Sequence, residues 1–131
     1  MLKRLMLATD IGLLAYWAAT ATQLIPPYPD RILVDWNWSF LVLDLLAAGT
    51  GLTALLLARR RHPNAGSVVL VSLALTHAAG LLALNFWVLR GDYSLAWWLP
   101  NLWLAGFPIV AVALLFACPT SGSVVTVGGR R

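Results

Sequence analysis

The sequence is poor in the residues that build redox and metal centres. It has one cysteine, Cys118, two histidines and no glutamate among its 131 residues. One thiol excludes an intrachain disulfide, a Cys-x-x-Cys pair and a cysteine-ligated haem or iron–sulfur centre. Two histidines in different environments do not favour a transition-metal site. Because phosphate-binding glycine loops and nucleophile-elbow motifs are also missing, we expect neither a cofactor nor a metal.

Charge is scarce as well, whereas apolar residues are abundant. Only 11% of the residues are charged and 60% are hydrophobic, while a soluble domain carries about a quarter charged residues. The apolar residues form four long segments, and each has about the twenty residues that a helix needs to cross ~30 Å of hydrocarbon. The four predicted spans are approximately 5–25, 36–58, 67–89 and 96–118. We therefore predict one transmembrane domain, 1–118, and a flexible basic tail, 119–131, with no room for a soluble catalytic module.

The basic residues predict the topology. Seven of the nine lysines and arginines lie in clusters at 3–4, 59–61 and 130–131, and such clusters concentrate in cytoplasmic loops. We therefore expect a multi-pass protein of the cell membrane with both termini in the cytoplasm. The short connections favour an all-α, up-down-up-down four-helix bundle. Since the net charge of +4 comes from these clusters, it does not indicate nucleic-acid binding.

The first apolar segment has a second interpretation. A basic start, an apolar stretch and an Ala-Thr-Ala run resemble a cleaved signal peptide. Asp10 interrupts the apolar stretch, however, and Tyr16, Trp17 and Gln23 do not suit a cleavage site. These residues favour a retained helix.

Asp44 is the leading candidate for a functional residue. It lies eight residues after Trp36, which places it ~12 Å into the membrane at 1.5 Å per residue. A carboxylate facing lipid at that depth would cost several kcal/mol, so Asp44 should face the bundle. Asn37, Ala47 and Gly51 share its helical face. This stripe suits either close helix packing or a cavity wall.

Asp10 and His77 are further polar residues within apolar segments, and each permits two interpretations. Asp10, after Thr9, either caps a helix that starts there or is a buried functional acid. His77, near the middle of its segment, either bonds to a neighbouring helix or pairs with Asp44 as a proton-titratable centre.

Tryptophans crowd one end of the predicted bundle. Five of the seven lie near the outer helix ends, which is typical of an aromatic belt and also fits the rim of an outward-facing cavity. Asn101 follows Trp-Trp-Leu-Pro in the last segment, which Pro108 should bend. The candidate ligand-binding residues are Asp10, Asn37, Trp38, Asp44, His77, Trp97, Trp98 and Asn101.

Several blocks together resemble the bacterial YvaD family of small four-helix membrane proteins, which has no established function. They are residues 9–12, 36–40 with 43–45, 51–53, 86–87 with 90–93, and 97–102. The resemblance spans about 5–116 and implies fold and topology but no activity. A weaker, architectural likeness is to the sterol-isomerase and sigma-2-receptor (EXPERA) group, which binds amphiphilic amines and sterols.

Three functions remain open from the sequence. The first is binding or transport of a small amphiphilic or cationic ligand, a lipid or a proton in a cavity near Asp44 and His77. The second is a structural or accessory subunit that joins a homo-oligomer or another membrane protein in the bilayer. The third is an intramembrane enzyme acting on a lipid, with Asp44 and His77 as acid and base. The chain length and the lack of a catalytic motif favour the first two.

Overall fold

The computed structural model describes residues 1–117, so Cys118 and the predicted tail 119–131 lie outside the described residues. Within residues 1–117 the regular structure is entirely helical. The helices are α1 (Leu2–Ala21), α2 (Arg31–Ser39), α3 (Leu41–Arg59), α4 (Ala65–Arg90) and α5 (Leu95–Ala117). Only Phe40 separates α2 from α3, so these two helices form one rod. The result is the predicted all-α arrangement of four antiparallel rods.

Local signals set the ends of the rods. The loop after α1 contains Pro26, Pro27 and Pro29, which cannot continue a helix. The Asp30 side chain then accepts a hydrogen bond from the backbone N–H of Ile32 at 3.0 Å and caps α2. At the end of α4, Gly91 adopts a left-handed conformation with φ of 66°, which glycine tolerates without a steric penalty.

Three rods are long and apolar enough to cross a membrane: Arg31–Arg59, Ala65–Arg90 and Leu95–Ala117, with mean hydropathies of 2.1, 2.0 and 1.9. Their outward apolar side chains, such as Val42, Leu81 and Ile109, are more than half exposed, as expected of a surface that faces lipid. The protein is therefore a membrane protein. The helix α1 has 20 residues, but Arg4 and Asp10 lower its hydropathy, and its crossing of the membrane stays a prediction.

The helices α1 and α3 pack antiparallel in a regular register. Trp17 is hydrogen-bonded to Asp44, and Asp10 lies against Gly51. The two contacts are seven residues apart on each helix, which is about two helical turns. Residue numbers decrease along α1 where they increase along α3, so the two helices are antiparallel. Leu13 packs between them in one apolar cluster with Ala47 and Ala48.

The helix α4 lies between α3 and α5. The Ser72 hydroxyl donates to the Ala47 carbonyl of α3 at 3.3 Å, and Gly80 lies directly against the α5 backbone at Ala105. The helices α1 and α5 meet through side chains, with Met6 and Phe107 in one cluster. We call the end of the bundle with residues 1–5 and 59–64 the arginine end. The opposite end, with residues 22–30 and 91–98, is the tryptophan end.

Candidate functional site

A cavity of about 610 Å³ lies between the helices, from mid-bundle to the tryptophan end. This volume is in the range of small-molecule sites, which are mostly apolar with a few placed polar groups. All four rods and the loop after α1 contribute to the wall. The lining residues are Ala8, Thr9, Gly12, Leu13, Tyr16, Ile25, Tyr28, Trp36, Asn37, Phe40, Asp44, Ala79, Ala83, Ala96, Trp97, Pro100, Asn101, Trp103 and Leu104.

The cavity exists because α1 and α5 are held together mainly near the arginine end. There Met6 and Phe107 belong to one buried cluster. Farther up, the Trp103 indole donates to the Thr9 hydroxyl at 3.0 Å and links the two helices. Beyond this link the facing residues of α1 and α5 include Gly12 and Pro100, which leave open space at the cavity wall.

The structure brings four of the eight predicted residues to this cavity. Asn37, Asp44, Trp97 and Asn101 line it. Asp10, Trp38, His77 and Trp98 are not among its lining residues.

Asp44 is the buried acid of the cavity wall and is only 7% exposed. Its Oδ2 accepts a hydrogen bond from the Trp17 indole at 2.9 Å. Its Oδ1 is buried and has no hydrogen-bond partner within the described residues. A buried carboxylate oxygen without a donor is costly. Asp44 therefore has one position where a further donor would be favourable.

The two asparagines of the wall are held by neighbouring groups. The Tyr16 hydroxyl donates to Asn37 Oδ1 at 2.7 Å, which joins α1 to α2. Asn101 Nδ2 donates to the Trp97 carbonyl of its own helix at 2.7 Å. Each bond uses one polar atom of the amide, so each side chain is oriented but keeps further hydrogen-bonding capacity.

His77 points to α5 rather than to Asp44. Its Nδ1 lies 2.7 Å from the Ala105 carbonyl oxygen, a contact in which Nδ1 carries a hydrogen and donates it. Ala105 lies three residues before Pro108, within the stretch of α5 where an internal proline disturbs backbone hydrogen bonding. Of the two interpretations of His77, the structure favours the bond to a neighbouring helix.

Asp10 is not a helix cap. Because α1 begins at Leu2, Asp10 lies inside the helix, and the capping interpretation is wrong. The side chain is 2% exposed, and its Oδ2 has no hydrogen-bond partner among the described residues. It fits because Gly51 has no side chain, since a Cβ there would overlap the carboxyl group.

Aromatic rings line the cavity at the tryptophan end. The Tyr28 ring lies 5.2 Å from Trp97 and 6.5 Å from Trp87, between centroids. Trp36 lies edge-on to Trp87 at 5.3 Å and stacks on Phe86 at 4.0 Å. Since Tyr28, Trp36 and Trp97 line the cavity, these aromatics form its rim.

The other two predicted tryptophans lie beside this rim. Trp98 stacks on Tyr93, and its indole donates to the Asp92 carbonyl at 2.9 Å. Trp38 packs against Trp17 at 5.5 Å and borders a second cavity of about 240 Å³ under the loop after α1.

Sequence reasoning did not identify Trp17, Tyr28 and Tyr16 as site residues. Trp17 has a recognisable signal, because it lies seven residues after Asp10 and therefore on the same face of α1. Tyr28 has none, since it lies in a loop where periodicity gives no information. Burial raises the pKa of the Tyr28 hydroxyl above its ordinary value, with smaller contributions from Tyr16 and Asp92, so Tyr28 keeps its O–H at neutral pH.

Comparison with known proteins agrees with the sequence blocks. A sequence model described as "Family of unknown function (DUF5360)" matches residues 2–121. The chain belongs to this family. It is also 38% identical over 120 residues to "Uncharacterized protein YvaD" of Bacillus subtilis (strain 168), covering 87% of this chain and 90% of that protein. The resemblance to the YvaD family is thereby confirmed. No solved structure matches the chain.

Proposed function

We propose that this protein binds a small amphiphilic molecule with a cationic group. The apolar part of the ligand would occupy the 610 Å³ cavity, and its ammonium group would contact Asp44. The observation that carries the proposal is the Asp44 carboxyl group at the wall of an apolar cavity, with one oxygen held by Trp17 and the other without a partner.

The chemistry of an ammonium group supports this choice of ligand. Asp44 Oδ1 needs a donor, and a protonated amine supplies both N–H donors and the opposite charge. A neutral hydroxyl would supply a donor but no opposite charge. Within the described residues, the side chain that donates a hydrogen bond to Asp44 is the neutral Trp17 indole. A ligand cation would therefore meet a carboxyl group that is not paired with a positive charge.

The remaining wall supports an amphiphile rather than a small hydrophilic cation. Most lining residues are alanines, leucines and aromatics, and the non-aromatic polar ones are Thr9, Asn37, Asp44 and Asn101. An alkyl or aromatic ligand body would gain about 25 cal/mol for each Å² of apolar surface removed from water. A fully hydrated cation would forfeit its hydration without that gain.

The test measures amine binding by the purified chain in lipid nanodiscs. We expect decylamine to raise the unfolding temperature of the wild-type protein, because a ligand that binds only the folded state stabilises it. Asp44→Asn keeps the shape of the side chain but removes its charge. Loss of a charge-assisted hydrogen bond, worth about 1.5–3 kcal/mol, should weaken binding roughly 10- to 100-fold.

Asp35→Asn is the matched control. It makes the same chemical change at an exposed residue of α2 outside the cavity lining, and decylamine binding should be unchanged. Equal binding to wild-type protein and Asp44→Asn would contradict the proposal. Stabilisation by no amine at all would also contradict it and would favour an accessory subunit with a membrane-protein partner. In that case Asp44→Leu should destabilise the bundle, because the Trp17 indole would lose its acceptor.

A further inference from the structure

Two polar atoms in the aromatic rim have no partner. The Tyr28 hydroxyl and the Trp87 indole nitrogen are both buried, and neither forms a hydrogen bond within the described residues. Buried polar atoms in folded proteins are almost always hydrogen-bonded, so two such atoms in one cluster need an explanation. Neighbouring rings carry them, with centroids 6.5 Å apart.

Their position relates them to the cavity. Tyr28 lines the cavity directly, as do Trp36 and Trp97. Trp87 is 2% exposed and lies behind these three rings, in contact with each of them. A ligand at the tryptophan end would therefore contact the Tyr28 ring, and Trp87 lies directly behind it.

The chemistry of the two groups defines what they would bind. A tryptophan indole is a donor only, and a protonated tyrosine hydroxyl donates as well as accepts. A common partner must therefore be an acceptor. Both groups are neutral, so an uncharged carbonyl, ester or ether oxygen is a suitable partner for them.

The distance to Asp44 sets the length of the ligand. Trp36 contacts Trp87 at the rim, and Asp44 lies eight residues farther along the same rod. This corresponds to about 12 Å at 1.5 Å per residue. One molecule in the cavity can therefore reach both places only if it is elongated.

We propose that Tyr28 and Trp87 form a second polar subsite, which holds an uncharged acceptor oxygen of the amine bound at Asp44. The proposal rests on the proposed function and extends it to a ligand class: elongated amphiphilic amines with a carbonyl, ester or ether oxygen about 12 Å from the ammonium group. Asp44 would bind the charged ammonium group, and Tyr28 with Trp87 would bind the acceptor oxygen.

The experiment compares two amines of equal length in nanodiscs that contain the full chain. One is decylamine, and the other is an ω-amino acid methyl ester whose ester lies at the far end of the chain. The wild-type protein should bind the ester roughly fivefold more tightly than decylamine, the gain typical of one neutral hydrogen bond. Tyr28→Phe should abolish this preference, because it removes the hydroxyl that would donate to the ester. The preference is the ratio of the two affinities measured on the same variant, so any general loss of binding at the cavity wall cancels. Trp87→Phe removes the second donor and should also reduce the preference.

Tyr93→Phe is the matched control, since Tyr93 is an exposed tyrosine at the same end and outside the cavity lining. It should keep the ester preference. Loss of the preference in either Tyr28→Phe or Trp87→Phe supports the subsite. An ester preference retained in both variants, or missing in the wild-type protein while both amines bind, would overturn it. If neither amine binds the wild-type protein, the proposed function itself has failed, so the two failures are distinguishable.

Discussion

The Trp17 indole donates a hydrogen bond to Asp44 Oδ2 at 2.9 Å across the interface of α1 and α3. Both side chains are buried, at 4% and 7% exposure. A carboxyl group within a membrane bundle is thus oriented by a neutral donor rather than by a cation. Within the described residues, the indole N–H is therefore the side-chain donor that holds the Asp44 carboxyl group.

Trp17→Phe should therefore destabilise the bundle. The substitution keeps an aromatic ring but leaves both oxygens of Asp44 without a donor, which should cost about 1–3 kcal/mol. Thermal and denaturant unfolding in detergent would measure the loss. Trp38→Phe, at a 42% exposed tryptophan beside it, is the control and should cost less. In an Asp44→Leu background the effect of Trp17→Phe should shrink, whereas an unchanged cost would show that the hydrogen bond contributes nothing.

Gly51→Ala should push α1 away from α3. A Cβ at Gly51 would overlap the Asp10 carboxyl group, and overpacking of this kind costs about 1–3 kcal/mol. Asp10→Ala in the same chain should restore part of the stability, because it removes the side chain that the new methyl group meets. Gly49→Ala is the control on the same helix, since a Cβ there meets nothing within 4 Å. If Gly51→Ala is as stable as Gly49→Ala, the described contact is wrong.

Gly80→Ala should be more damaging, because no side chain can move out of the way. A Cβ at Gly80 would overlap the α5 backbone at Ala105 and approach the Asn101 carbonyl. The helices α4 and α5 must then separate, at a cost on the order of 3 kcal/mol. Gly106→Ala, at an open position on α5, serves as the control. Unfolding temperatures that agree for the two variants would contradict the close approach of α4 and α5.

The basic residues predict the orientation of the protein in the membrane. Reporters fused at Asn64 and at the C-terminus should lie in the cytoplasm, and one near Asp30 should lie outside, because seven of nine lysines and arginines fall on the first side. Cysteine accessibility at the same positions offers an independent readout. A C-terminal reporter on the outer side would contradict the topology and would suggest that α1 does not cross the membrane.

Part of the candidate site followed from periodicity. Asn37 and Asp44 share a face of one rod, and Trp97 and Asn101 share a face of another, so their common exposure to an inner space was predictable. The cap assignment of Asp10 failed because α1 continues back to Leu2. A Thr-Asp pair marks a helix start only where the preceding residues do not themselves continue the helix.

The number of rods and the approximate placement of their loops were determined by the sequence itself, because apolar run length, proline and charge act locally. The partners of the polar side chains were decided only by the tertiary structure. The helix α4 is apolar on every side, so hydropathy does not set its rotation. The rotation of α4 about its axis is set instead by the close contact of Gly80 with the α5 backbone. In this rotation the His77 ring lies next to the Ala105 carbonyl oxygen. Asp44 is thereby left to Trp17, because a buried carboxyl group takes the donor that helix packing brings within reach.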